Sequence, residues 1–162
     1  MTVWVGLVGQ ACFPAPCRAA LTAKNHAEAS AINRKKTEKG LSQQAFHIGS
    51  KIKQVDDAMT PDRQQWAFEV HPEVCFWALN GQHPMAHGKK TEAGRNDRLK
   101  LLRTEFPHIQ QHLLNRPSGV GKDDLLDAAA AAWTALRRHR SEAVPVCTPE
   151  RDEKGLSVAI FY

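Results

Sequence analysis

The strongest candidates for metal binding or catalysis are four carboxylates. Glu69 lies in an aromatic and β-branched segment, and Asp123, Asp124 and Asp127 stand at the start of an alanine-rich segment. Residues three or four apart share a helix face, so Asp127 can neighbour either Asp123 or Asp124, and spacing alone leaves both pairs open. Clustered carboxylates are best tolerated around a cation, and oxygen ligands suit Mg²⁺ or Mn²⁺. Such ions hold the attacking water and the leaving oxygen in two-metal phosphodiesterases.

Each carboxylate also has a simpler interpretation. Asp123 or Asp124 can cap a helix and complement its dipole. Strand alternation places Glu69 opposite its two apolar neighbours, on a solvent-facing side. Asp127 lies one turn into the helix among apolar residues, so capping does not explain it.

Two further groups of residues could bind ligands. Lys89 and Lys90, immediately before Thr91, could offer two ammonium groups and a helix N-terminus to a phosphate, although a solvated loop is the simpler interpretation. Four potential zinc ligands have spacings that match no standard zinc pattern, so buried or incidental thiols are expected instead: Cys12, Cys17, His71 and Cys75.

Length and composition favour one globular domain. The chain has 162 residues, 24% charged and 42% hydrophobic, and its net charge of +5 mildly favours an anionic partner such as nucleic acid. It contains no convincing signal peptide and no apolar segment long enough for a membrane span, so a cytoplasmic protein with reduced thiols is expected. The phosphate-binding and serine-nucleophile motifs of nucleotide hydrolases and serine hydrolases are not found.

The positions of these residues depend on the elements that carry them. Capping residues, prolines and apolar spacing predict helices over 17–22, 26–38, 42–59, 72–79, 91–105 and 123–139, with strands over 66–70 and 155–162. Gly40 is expected to end the second helix in a left-handed conformation. The third helix should bury one apolar stripe, made by Ala45, Ile48, Ile52, Val55 and Met59. Core positions are also expected for Trp66, Trp77 and Trp133.

Several segments together resemble one family, the RNase-H-like nucleases described as domain of unknown function 429. The longest resembling segment is Glu69–Gly81, which contains the run E-V-H-P-E. The other resembling segments, in chain order, are Phe13–Pro16, Gly40–Ala45, His87–Thr91, Asp123–Ala128 with Trp133, and Glu150–Asp152 with Gly155 and Leu156.

The resemblance implies an α/β, RNase-H-like fold that is helix-rich, with a short remaining sheet. It places Glu69, Asp124 and Asp127 as catalytic residues and as ligands of Mg²⁺ or Mn²⁺. The candidate substrate-binding residues are Lys89, Lys90 and Gln43. The strands that begin other members, including one with an Asp that bridges both metals, are not recognised here. We therefore expect an unmatched segment over residues 1–11 and one truncated domain over residues 12–162.

The leading hypothesis is a metal-dependent nuclease that hydrolyses phosphodiester bonds in nucleic acid, with activity impaired by the absent first strand. One alternative is a non-catalytic module that binds nucleic acid, or that recruits a partner chain or a second copy through exposed sheet edges. Another is a fragment without independent function. No membrane association is expected.

Overall fold

The computed structural model describes residues 16–162, and the chain divides into two compact units between Arg63 and Gln64. The first unit contains a 3-10 helix (Arg18–Thr22) and helices α1 (His26–Thr37), α2 (Gln43–His47) and α3 (Gly49–Ala58). After a short 3-10 helix at Arg63–Gln65, the second unit contains β1 (Glu69–Val70), α4 (Pro72–Leu79), α5 (Glu92–Arg103), α6 (Ile109–Leu114), α7 (Lys122–His139), β2 (Glu150–Arg151), β3 (Ser157–Val158) and β4 (Ile160–Phe161). The protein is therefore α/β and helix-rich. None of the helices in residues 16–162 is long and apolar enough to cross a membrane.

The first unit has a small core around a buried amide. Its buried apolar residues are mostly alanines: Ala20, Ala29, Leu41 and Ala45. The Asn33 side chain is fully buried, accepts from the Cys17 backbone N–H at 2.7 Å and donates to the Lys39 carbonyl at 2.8 Å. A buried amide is tolerated when its donors and acceptors are paired. Asn33 therefore joins both flanking segments to α1.

Helix α1 ends earlier than predicted. Glu38, not Gly40, has the left-handed conformation at the helix end, with φ of 62°, and its N–H donates to the Arg34 carbonyl. A Cβ at Gly40 would lie 2.9 Å from Ser30 Oγ and 3.0 Å from Arg34 Nη2, two side-chain ends that would have to shift. The predicted role of Gly40 is wrong, although the end of the helix was placed within one residue.

The predicted helix over 42–59 is two helices. Ser42 caps α2 as expected, accepting from the Ala45 N–H at 3.1 Å, but the chain leaves the helix at Ile48. Gly49, a poor helix former, follows and is buried. This break rotates the apolar stripe out of register, so that Ala45 is buried while Ile48 and Val55 are 47% and 61% exposed. The prediction that the whole stripe is core is wrong.

Three helices of the second unit pack around one apolar cluster. Helices α4, α5 and α7 contact one another pairwise and bury Cys75, Phe76, Leu102, Leu126, Ala130 and Trp133, and Leu113 of α6 completes the cluster. The predicted bounds of α4 are confirmed, and Thr91 caps α5, accepting from the Gly94 N–H at 3.0 Å. The proline in the first turn of α4 and the threonine before α5 are local sequence signals, which explains why the sequence predicts these two boundaries.

The strands are shorter than predicted. β1 pairs in parallel with β4, with Glu69 opposite Ile160, and β2 pairs antiparallel with β3. The predicted strand over 155–162 is split between these sheets, and Val158 is 54% exposed. The predicted strand over 66–70 is reduced to its last two residues, and Trp66 is 71% exposed instead of being in the core.

Aromatic contacts attach the β1 and β4 pair to the helices. Phe68 packs edge-on against Phe161 at 5.7 Å, and the Arg138 guanidinium of α7 lies over the Phe161 ring at 4.8 Å. Trp77 of α4 meets Tyr162 at 5.6 Å, also edge-on. The second half of α4 and the last turn of α7 therefore contact the β1 and β4 pair and the residue that follows it.

Candidate functional site

One ion pair joins two of the predicted site residues. Lys89 Nζ lies 2.9 Å from Asp127 Oδ2, linking the loop before α5 to the second turn of α7. The hydrogen bond with Asp127 raises the pKa of Lys89, and the negative charges of Asp127, Glu73 and Asp123 raise it further, against an opposing effect of partial burial. Lys89 is therefore a firmly protonated ammonium at neutral pH.

Two carboxylate oxygens near this ammonium are buried without hydrogen-bond partners. They are Asp127 Oδ1, on the same carboxylate that binds Lys89, and Glu73 Oε1, whose sister oxygen accepts from Arg98 Nη2 at 2.7 Å. Buried polar atoms are usually paired with protein or with water, so these two oxygens are candidates for contact with a water or a cation. We refer to Glu73, Lys89 and Asp127 as the acidic-lysine cluster.

The loop that carries Lys89 is fixed to α5. The Arg98 side chain is only 3% exposed and donates to the His87 and Gly94 carbonyls, both at 3.0 Å. The Gly88 carbonyl accepts from the Thr91 hydroxyl at 2.8 Å. A Cβ at Gly94 would lie 2.1 Å from the Gly88 carbonyl oxygen, so this loop packs directly on the helix backbone. The position of Lys89 is therefore set by α5.

The other predicted metal ligands lie in different environments. Glu69 is exposed at the first residue of β1. Asp124 is exposed and accepts from the Gly121 N–H at 3.0 Å, which gives it the helix-capping role that was the simpler interpretation. Within residues 16–162, no group of three or more His, Cys, Asp or Glu side chains is placed to hold a metal. The structure thus does not bring Glu69, Asp124 and Asp127 together as one group.

The remaining candidates make other contacts. Lys90 is exposed, and only its carbonyl is engaged, by Arg95 Nη1 at 2.6 Å. Gln43 belongs to the first unit, where its amide lies 3.2 Å from His26 Nδ1. Of the four potential zinc ligands, Cys12 lies outside the described residues, and Cys75 is a buried thiol whose Sγ lies 3.1 Å from Thr134 Oγ1.

Sequence reasoning missed Glu73 and Arg98, which organise the cluster. Glu73 lies inside the E-V-H-P-E run but was not singled out. Arg98 has a stronger signal, because the buried residues of α5 are Gly94, Arg98 and Leu102, four apart on one helix face. An arginine in the middle of a buried stripe indicates an internal ion pair.

A family model described as "Protein of unknown function (DUF429)" matches residues 5–154. The chain belongs to the DUF429 family. The match to DUF429 includes parts of both compact units and every residue of the acidic-lysine cluster, and it begins ahead of residue 12, where the resemblance begins. No curated protein and no solved structure matches the chain.

The Lys89–Asp127 pair of this DUF429 member should stabilise the fold in a pH-dependent way. The pKa of Lys89 is raised in the folded state. The ion pair therefore contributes its full stability below the pKa of lysine in the unfolded chain, about 10.4, and this stability is lost as pH rises through the pKa of Lys89 in the folded protein. Lys89→Met should lower the free energy of unfolding by about 1 kcal/mol or less at pH 7 to 9, and by progressively less above pH 10.4. Urea denaturation across this range measures the difference. Lys90 is exposed and has no side-chain ion pair in the described structure, so Lys90→Met is the control. Its effect on the free energy of unfolding should not change between pH 7 and pH 10.4.

Cys75 should be chemically protected in this DUF429 member. Burial raises the pKa of the Cys75 thiol, the charge of Asp127 adds to the rise, and the hydrogen bond to Thr134 Oγ1 at 3.1 Å opposes it. Reaction requires the thiolate and access to it. Iodoacetamide at pH 8 should therefore label exposed Cys147 in the folded protein but Cys75 only after unfolding, as read by peptide mass spectrometry. Equal labelling rates of the two thiols in the folded state would show that the helix core opens readily.

Proposed function

We propose that this protein is an RNase-H-like, metal-dependent phosphodiesterase acting on nucleic acid, in which Asp127 contacts the cation and Lys89 contacts the phosphate. The observation that carries the proposal is the Lys89–Asp127 pair, whose carboxylate keeps a second, buried oxygen without a partner. Family membership and a parallel strand pair packed against helices are compatible with an RNase-H-like fold.

The available ligands fit one cation better than two. Asp127 Oδ1 has no protein partner, whereas Asp124 is engaged at Gly121 and Glu69 is exposed, so the three predicted ligands do not fit a two-metal centre as they are placed. Mg²⁺ is often held by one or two carboxylates together with water and substrate phosphate. When bound, Mg²⁺ or Mn²⁺ would supply positive charge at a phosphate oxygen.

The contribution of the chain itself is positioning and charge. Lys89 is protonated, 39% exposed and carried by a loop that α5 holds in place, so it can donate to a phosphate oxygen with little further ordering. Arg98 acts through the loop and is a positioning residue.

Free thiols at Cys17, Cys75 and Cys147 are compatible with a cytoplasmic location, where nucleic acid is present.

Calorimetric titration with Mn²⁺ tests the cation site. We expect saturable binding by the full chain and its loss in Asp127→Asn, which keeps the shape of the side chain but removes the charge. Asp124→Asn and Glu69→Gln remove the same charge elsewhere and should bind as the parent does. Equal loss in Glu69→Gln would instead show that the three predicted ligands assemble around the metal. Unchanged binding by Asp127→Asn would refute the proposal.

A second candidate function is nucleic-acid binding without catalysis through the first unit. Residues 1–63 contain nine Lys and Arg against five Asp and Glu, which accounts for +4 of the net charge of +5. Three exposed lysines lie at or just after the C-terminal end of α1, namely Lys35, Lys36 and Lys39. Replacing all three with Gln should reduce the salt dependence of binding to double-stranded DNA by a slope of up to about 3, since each phosphate contact contributes about 0.9. An unchanged slope would exclude this surface.

A further inference from the structure

One histidine at the edge of the acidic-lysine cluster has no part in the proposed function so far. The His87 carbonyl accepts from Arg98 Nη1 at 3.0 Å, and Nη2 of the same guanidinium donates to Glu73 at 2.7 Å. The His87 backbone and the Glu73 carboxylate are therefore held by one buried group. His87 also precedes Lys89 by two residues, a stretch of chain that spans at most about 7 Å.

A carboxylate of α5 orients the His87 imidazole. Its Nδ1 lies 2.8 Å from Asp97 Oδ2, and the His87 side chain is 54% exposed. A ring nitrogen that donates to a carboxylate fixes the tautomer, so the other nitrogen is the one that can exchange a proton with a substrate. Within residues 16–162, His87 Nε2 has no hydrogen-bond or ion-pair partner. The imidazole therefore combines a fixed orientation with a nitrogen that is open to a ligand.

Neighbouring residues of one helix turn fix both the ring and the backbone of His87. Asp97 binds the ring and Arg98 binds the carbonyl, while the carbonyl of the next residue, Gly88, packs on α5 at Gly94. A group that is held in place before the substrate binds loses little freedom when it reacts. One loop, whose position α5 sets, therefore presents the imidazole and the Lys89 ammonium.

The proposed reaction needs a proton donor that the other residues of the cluster do not supply. When a phosphodiester bond of nucleic acid breaks, the leaving oxygen gains the charge of an alkoxide, which must be protonated. Asp127 is the proposed cation ligand, and the raised pKa of Lys89 means that its ammonium gives up a proton reluctantly near neutral pH. Histidine is the side chain best suited to proton transfer in this range.

We propose that His87 is the general acid of this site and that Asp97 is the residue that positions its ring, an inference that rests on the proposed phosphodiesterase activity. A water molecule attacks phosphorus and forms the new P–O bond while the bond to the leaving oxygen breaks. The leaving oxygen keeps the bonding electron pair and takes the Nε2 proton of the His87 imidazolium, which makes it an alcohol. The attacking water loses a proton to solvent, and solvent returns one to the imidazole.

Two substrates with different leaving groups test the proposal on the full chain with Mn²⁺. Thymidylyl-thymidine releases an alkoxide that needs a proton, whereas the 4-nitrophenyl ester of thymidine 5′-phosphate releases a phenolate that leaves without one. We expect His87→Gln to lower kcat on the dinucleotide by about 100-fold or more and to leave kcat on the ester nearly unchanged. Asp97→Asn should lower kcat on the dinucleotide by a smaller factor. His83 is an exposed histidine of the same loop, so His83→Gln is the control and should leave both rates unchanged.

The outcomes separate this inference from the proposed function. No hydrolysis of either substrate by the parent would refute the phosphodiesterase, and the role of His87 with it. Hydrolysis that is lost in Asp127→Asn but unchanged in His87→Gln would refute the role of His87 alone. Equal losses on both substrates in His87→Gln would show that His87 holds the loop and transfers no proton.

A measurement without turnover keeps the test valid if His87→Gln is unstable. In the parent protein, thymidine 5′-phosphate represents a product whose phosphate meets Lys89. It should shift the NMR signals of the His87 ring and leave those of the His83 ring unchanged. Unchanged His87 signals at millimolar thymidine 5′-phosphate, or an equal shift at His83, would overturn the proposal.

Discussion

Replacing Arg98 with methionine lowers the free energy of unfolding by about 3 kcal/mol. The Arg98 side chain is buried, and its removal leaves the Glu73 carboxylate without its ion-pair partner and the His87 carbonyl without its side-chain donor. The lower end of the range for broken buried pairs applies, because Glu73 is 32% exposed and water can partly solvate it. Urea denaturation with a fluorescence readout measures the loss.

Two variants separate the ion pair from a simple loss of packing. Lys100→Met changes the same helix at an exposed position and should cost less than about 0.5 kcal/mol. The double variant Arg98→Met with Glu73→Gln removes the unpaired charge and should recover part of the stability. If the double variant is as unstable as the two single costs added together, Glu73 and Arg98 do not interact energetically.

Replacing Gly94 with alanine destabilises the protein by about 1 to 3 kcal/mol, although alanine is normally the better helix residue by about 1 kcal/mol. The added Cβ would lie 2.1 Å from the Gly88 carbonyl oxygen and 2.9 Å from that of His87, so the loop must move away from α5. Because this loop carries Lys89, the variant should also lose the Lys89–Asp127 pair. Thermal unfolding and the NMR signals of Asp127 report the two effects.

Gly88→Ala is the matched control for Gly94→Ala. It places the same methyl group in the same loop, but nothing lies within 4 Å of a Cβ at that position. Its unfolding temperature and the Asp127 signals should stay close to those of the parent protein. Stabilisation by Gly94→Ala would show that the loop does not rest on the helix.

Local signals in the sequence predict much of the helical architecture. Pro72 occupies the first turn of α4, and Thr91 caps α5 through the nearby Gly94 N–H, and both helix starts are where the sequence predicts them. The break at Ile48 and the split of the segment over 155–162 depend on what these residues pack against. Periodicity alone extends a helix through Gly49 and a strand through Ala159, because it contains no information about tertiary neighbours.

The sequence predicts which residues belong to the candidate site, but it does not predict which of their side chains contact one another. Asp127 is identified because capping does not explain it, and Lys89 because it precedes a helix start. Their pairing joins positions 38 residues apart, which no local pattern encodes. Asp124 makes a local contact instead, because its carboxylate accepts from the Gly121 N–H at the start of the same helix.

The parallel pairing of β1 with β4 also bears on how the protein folds during synthesis. Glu69 pairs with Ile160, so β1 emerges from the ribosome about ninety residues before its partner strand. Helices α4, α5 and α7 lie between these strands in sequence and can pack as soon as α7 is made, since their contacts are closer along the chain. We therefore expect the helical part of the second unit to form first and to receive β4 last. Until then, the backbone groups of β1 that pair with β4 stay open to chaperones or to neighbouring nascent chains.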